Sequence, residues 1–153
     1  MLTEFFRAIS KRTGSINPQW LMTDDVEQFH NAWKEVFGGS ARKLLCAWHV
    51  DRAWRKAIRQ HIHKKEQVGT YHQIRVLLTE TEEPKFRVTL QEFLTYTEKY
   101  HDDFYNYFST CYCKRLDQWA SCYRKNTSVN TNMFVESFHR VLKVVYLHHK
   151  QNR

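Results

Sequence analysis

Past His49 the apolar residues of this chain recur at helical spacing, and one glycine, Gly69, and one proline, Pro84, are all that interrupt them before Arg153. A β-sandwich or barrel needs turn residues about every eight to twelve positions, so a stretch this poor in them must fold mainly as helices. Trp54, Ala57, Ile58, His61 and Ile62 make one stripe, and Leu90, Phe93, Leu94, Thr97, Phe104, Tyr107, Phe108 and Cys111 make another. Pro84 follows Thr81-Glu82-Glu83 and suits the first turn of the longer helix, where its missing N–H has no intrahelical partner to lose. The segment from about 50 to 126 therefore reads as an all-helical block. Residues 130–148 read as a last helix that sets Val135, Phe138, Leu142, Val145 and Tyr146 against the core.

Ahead of His49 the pattern changes. Leu2, Phe5, Phe6 and Ile9 fall on one helical face, and Lys11 to Pro18 carry loop chemistry. Gln19 to Thr23 is a brief apolar run of the kind a buried strand shows, ending at Asp24 and Asp25. Val26, Phe29, Trp33, Val36 and Phe37 then repeat as a helix that Gly38-Gly39 stops, and Lys43 to Trp48 is a second short buried strand. Strand, helix, strand over 19–49 predicts one parallel βαβ unit with a right-handed crossover. The expected fold is a single α/β domain, predominantly helical. Its two leading acids stand at the C-terminal end of a strand, where open α/β sheets place their ligands.

The charge balance narrows the partners. Lys and Arg outnumber Asp and Glu by 24 to 16, a net charge of +8, and each cation that neutralises a phosphate releases condensed counterions. Nucleic acid is the expected partner. Arg52, Arg55, Lys56, Arg59 and His63 share the face of the helix after His49 that lies opposite Trp54, Ile58 and Ile62, and such a stripe matches a phosphate backbone. Further cations gather at Lys114, Arg115, Arg124, Lys125, Arg140, Lys143, Lys150 and Arg153, with Tyr112, Trp119 and Tyr123 beside them for stacking on bases. A solvated helix face and ordinary core aromatics account for the same residues, and nothing points to base-specific readout. The four cysteines follow no paired spacing, so reduced thiols are expected rather than a disulfide framework. No apolar run reaches the ~20 residues a membrane span requires, and no membrane partner is expected.

Three acids bear on chemistry: Asp24 and Asp25 at the strand end, and Glu136 on the last helix. Carboxylates converging from a strand and a helix are what a divalent ion needs to be held against a phosphate. Taken by themselves, these acids read more simply as caps of the following helix at Asp24 and Asp25 and a pair with Arg140 one turn on from Glu136.

The text around these acids favours the metal-site reading. MTDD, then Cys46-Ala47-Trp48-His49 in LLCAWHV, then TNMFVESFH resemble, in that order, the Mutator-like (MULE) transposases of the DDE/D group. The resemblance runs over nearly the whole chain. It implies an RNase H-like core, here incomplete, consisting of the βαβ unit, an all-helical insertion and a C-terminal helix. It further implies that Asp24, directly after Thr23, is the second catalytic acid and Glu136 the third, and that both are ligands of Mg²⁺ or Mn²⁺. Cys46 and His49 correspond to the family's C-x-x-H motif and shape the site. Zinc is not expected, because Cys111-x-Cys113 with Cys122 fits no common closed zinc site. The family's first acid lies on an earlier strand, so this chain by itself is expected to bind DNA, through Arg52, Arg55, Lys56, Arg59, Arg140 and Lys143, without cutting it. Nuclear localisation and a DNA partner follow from the resemblance, and a homo-oligomer is compatible with it. The competing reading is a domesticated, non-enzymatic DNA-binding or protein-interaction module in which the acids are structural remnants.

Overall fold

The structure, a computed structural model, describes residues 1–39, 41–125, 127, 129, 131, 133–141, 144 and 145, with the side chains of Met133, Val135, Glu136 and His139 excepted. Helix α1 (Leu2–Thr13) leads to strand β1 (Trp20–Thr23), helix α2 (Glu27–Phe37) and strand β2 (Arg42–Leu45). The two strands pair in parallel, Trp20 opposite Arg42 through Thr23 opposite Leu45, and α2 is the crossover that parallel pairing demands. Six helices follow: α3 (Ala47–His61), α4 (Gln67–Thr79), α5 (Glu83–Tyr100), α6 (Asp102–Cys111), the single turn α7 (Leu116–Trp119) and α8 (Met133–Val141), with 3₁₀ turns at Cys113–Arg115 and Ser121–Tyr123. The chain is thus α/β and predominantly helical, as its periodicity predicts. None of the described helices is long and apolar enough to cross a membrane.

Two hydrophobic clusters organise these elements. The smaller one joins α1 to α2: Phe6 meets Trp33 edge-on at 5.4 Å and Phe37 at 6.3 Å, with Ala32, Ala41 and Leu21 around them. Leu2 and Ile9 pack there too, whereas Phe5, expected on the same face, is 57% exposed. Both helices end on a glycine in the positive-φ region, Gly14 at 75° and Gly38 at 90°, each N–H still donating to a carbonyl of the last turn. A side chain at such a φ is strained, so the glycines fix where the chain leaves each helix.

The larger cluster is aromatic. Trp54 of α3 is fully buried and packs edge-on against Trp119 at 5.1 Å and Tyr112 at 5.4 Å, and it meets Phe108 at 5.7 Å. Phe93 of α5 meets Phe104 and Phe108 of α6 edge-on, and Phe86 meets Trp119. Tilted and edge-to-face pairs at these distances gain electrostatic energy beyond their burial, about 0.5–1.5 kcal/mol each. Ile74, Leu77 and Leu78 of α4 complete the packing, and Leu45 brings the end of β2 into it. Trp119 donates its indole N–H to the Tyr112 carbonyl at 3.0 Å, so the short α7 is anchored to the turn before it.

Three expectations are corrected. The second strand stops at Leu45: the Cys46 N–H makes the last ladder bond, to the Thr23 carbonyl at 3.1 Å, and the Cys46 carbonyl accepts the first helical bond, from Val50 at 3.0 Å. Ala47, Trp48 and His49 are therefore the first turn of α3, because a short apolar run fits a buried strand and a buried helix equally well. Tyr112 and Trp119 are core residues, and of the three aromatics offered for base stacking only Tyr123 is part-exposed. On the last helix, Phe138 and Val145 are 60% and 54% exposed instead of packed inward, and Phe134 is 83% exposed. Leu142, Lys143, Tyr146, Lys150 and Arg153 lie outside the described residues, as do the side chains of Val135 and Glu136.

Candidate functional site

The C-terminal ends of β1 and β2 bring the family-like segments together. Thr23 is buried, and its hydroxyl donates to the Asp24 carbonyl at 2.8 Å, which fixes the turn that carries Asp24 out of the strand. Asp24 is half-buried, and its Oδ1 accepts the Val26 N–H at 3.3 Å. Next to Thr23 across the ladder sits Cys46, fully buried, with its Sγ 3.5 Å from the hydroxyl of Thr131. Thr131 opens the TNMFVES segment, and Glu136 stands on α8 shortly beyond it. Eighty-five positions separate Cys46 from Thr131, so the contact is a tertiary one. His49 is half-buried in the first turn of α3, edge-on to Trp48 with centroids 4.8 Å apart.

Two arginines frame this end of the sheet. Arg115 forms a bidentate pair with Asp25, one arm at 2.8 Å and the other shorter. The pair raises the guanidinium pKa further, and it ties the β1–α2 turn to the Cys113–Arg115 turn ninety positions away. Asp25 is thus engaged by the helical block, whereas Asp24 has no ion pair among the described residues. Arg124 is buried, and its Nη2 donates to the carbonyls of Leu45 and of Gln118, the latter at 2.8 Å. Burial lowers its pKa, yet an arginine keeps its charge even so. Arg124 therefore belongs to the underside of β2 and is removed from the expected nucleic-acid surface.

The basic stripe on α3 is present but not uniform. Arg52, Arg55, Lys56 and Arg59 are exposed, and so is His63, which falls beyond the end of α3. Arg52 lies over the Trp48 ring at 5.4 Å. Arg55 donates from Nε to Asp51 at 2.8 Å and from Nη2 to the Tyr71 hydroxyl at 2.6 Å. Lys56 and Arg59 have no ion pair among the described residues. Arg140 is exposed on α8; Lys143 lies outside the described residues.

Comparison with protein-family models, with curated proteins and with solved structures finds no match. The site therefore rests on its own geometry. Among the described residues no three His, Cys, Asp or Glu side chains gather as a metal-holding group. Asp24 does offer hard carboxylate oxygens at a part-exposed strand end, the donor chemistry that Mg²⁺ and Mn²⁺ prefer. Sequence reasoning missed the Asp25–Arg115 pair, the buried Arg124 and the network around Asp51. The one available signal was Asp51 itself, an acid interrupting a basic helix one turn before Arg55.

Proposed function

We propose that this chain is part of the catalytic core of a Mutator-like DNA transposase, RNase H-like in plan, and that it binds DNA along the exposed basic face of α3. One observation carries the reading. Thr23-Asp24, Cys46 and Thr131 come from three separate segments that the resemblance singles out, and they meet at one sheet end through the Cys46–Thr131 contact. Strand pairing accounts for Thr23 beside Cys46, and the Cys46–Thr131 contact is what adds the third segment. The helical block between Asp24 and Glu136 is compatible with the insertion that the resemblance implies there.

The roles are assigned on the resemblance. Asp24 and Glu136 are the carboxylates that would hold Mg²⁺ or Mn²⁺, and such an ion, when bound, polarises a DNA phosphate and activates water or a 3′-hydroxyl for in-line attack. Thr23 fixes the backbone that presents Asp24, and Cys46 holds the approach to α8 against the strand end. Arg115 engages Asp25, and Asp24, with no ion pair among the described residues, is the carboxylate this reading assigns to chemistry. Arg52, Lys56 and Arg59 hold the strand by its phosphates, a sequence-independent attraction.

Differential scanning fluorimetry with Mn²⁺ tests the metal-ligand roles. Wild type is expected to gain melting temperature on Mn²⁺ addition, and Asp24→Ala/Glu136→Ala to lose most of that gain while its metal-free melting temperature stays close to wild type. Equal Mn²⁺ responses in the two proteins, or none in either, would overturn the metal-ligand roles and favour a non-enzymatic DNA-binding module.

A further inference from the structure

A shallow groove of about 230 Å³ runs between α3 and α4, lined by Arg55, Ile58, Arg59, Gln67, Val68 and Tyr71. Its floor is apolar: Ile58 belongs to the core, while Val68, in the first turn of α4, is 66% exposed. Its rim is cationic, and one of the cations is preorganised. The Arg55 guanidinium lies over the Tyr71 ring at 4.8 Å, with Nε on Asp51 and Nη2 on the Tyr71 hydroxyl, and still leaves half of its side chain in water. Tyr71 donates to Asp51 in turn, at 2.9 Å, and burial together with that carboxylate raises its pKa, so the hydroxyl remains a donor. Arg75 also reaches Asp51, at 3.3 Å. Two guanidiniums, Arg55 and Arg75, thus share one carboxylate, and with Arg59 on the rim as well the groove keeps a net positive charge. The turn from α3 to α4 adds His63, Lys64 and Lys65 against one acid, Glu66.

We propose that this groove seats an unpaired nucleotide, its phosphate on Arg55 and Arg59 and its base on the apolar floor at Ile58 and Val68. The inference rests on the DNA-binding reading above and sharpens it to a preference for single-stranded segments. A guanidinium already held by Asp51 and Tyr71 loses little entropy when it takes a phosphate. The groove is smaller than the pockets that hold drug-sized ligands, and it suits one base. Duplex DNA keeps its base faces stacked inside the helix and presents only base edges, sugar and phosphate, so it has no base face to lay on Val68. An acidic peptide would satisfy the rim. It would give no use to the positive charge that continues past the groove along α3 through Lys56 and Arg52, whereas a strand with regularly spaced phosphates does.

Fluorescence anisotropy with the whole chain decides it, using labelled oligo-dT, a strand of equal length made of abasic sugar-phosphate, and a duplex. Covering the apolar side chain of Val68 with a base supports an expectation of about fivefold tighter binding to oligo-dT than to the abasic strand. Val68→Ser should erase most of that preference and leave abasic affinity unchanged, and Arg59→Gln should weaken both strands alike; circular dichroism verifies that these exposed substitutions keep the fold. Equal affinity for the two strands, a preference that survives Val68→Ser, or displacement of oligo-dT by poly-glutamate at matched charge would overturn the groove. Duplex binding retained in any of those cases leaves the DNA-binding reading standing. Failure to bind any of the three nucleic acids overturns both.

Discussion

At the residue scale the side chain most dependent on its neighbours is Asp51. It is buried in α3, and it accepts from Arg55, Arg75 and Tyr71 at once. Both arginines are about half exposed, so their charges return to water when the carboxylate is lost, and solvent screens much of what the pairs contribute. The hydrogen bonds to a charged acceptor remain the larger loss. Asp51→Asn is expected to destabilise the chain by about 2 kcal/mol, read as a fall in melting temperature of roughly 5 °C. A melting temperature within a degree or so of wild type would show that the network is a surface arrangement with no structural role. Individual side chains were also where the sequence was least legible. Trp119 and Tyr112 carry the same amphipathic chemistry whether they stack on a base or fill a core, and only the three-dimensional packing around Trp54 decides between the two. Arg124 reads as a surface cation because nothing local announces that the carbonyls of Leu45 and Gln118 will enclose it.

At the element scale, periodicity located most helices, and it failed where one element hands over to the next. Gly38 and Pro84 mark their helix ends through backbone conformation, a strictly local property, and both boundaries were readable. The passage from β2 to α3 was not, since Cys46 makes a strand bond with its N–H and a helix bond with its carbonyl, and Ala47-Trp48 is compatible with either element. Long-range ties were invisible for a similar reason. Asp25 and Arg115 are far apart in sequence, and no spacing rule links a strand-end turn to a 3₁₀ turn. That pair should behave as a reciprocal unit. Asp25→Arg and Arg115→Asp are each expected to destabilise by about 1 kcal/mol in chemical denaturation, and the double exchange to recover at least half of the combined loss. Strict additivity of the two single variants would remove the pair as a link between the sheet end and the helical block.

At the scale of the whole molecule, the βαβ unit followed by a helical block was legible because both rest on apolar period alone. The position of α8 was not, and its described aromatic residues, Phe134 and Phe138, face outward where the sequence pattern set Phe138 inward. Thr23 beside Cys46 follows from the parallel strand pairing that the apolar period predicts, whereas the Cys46–Thr131 contact is a tertiary one of which composition and spacing say nothing. Net charge acts at this scale too. With +8 overall, any surface will attract a polyanion weakly, so binding by itself is a poor test, whereas the location of the charge that matters is a sharp one.

The measurement that bears most directly on α3 as the DNA-binding face is therefore the salt dependence of DNA affinity in wild type and in Arg52→Gln/Lys56→Gln/Arg59→Gln, with Lys99→Gln on α5 as the control. For wild type, log affinity should fall linearly with log salt concentration. The triple variant should bind more weakly, with a slope shallower by about one for each phosphate it no longer neutralises, while the control keeps the wild-type slope. Slopes that coincide in wild type and triple variant, or no DNA binding at low salt, would contradict the assignment of α3 as the nucleic-acid face.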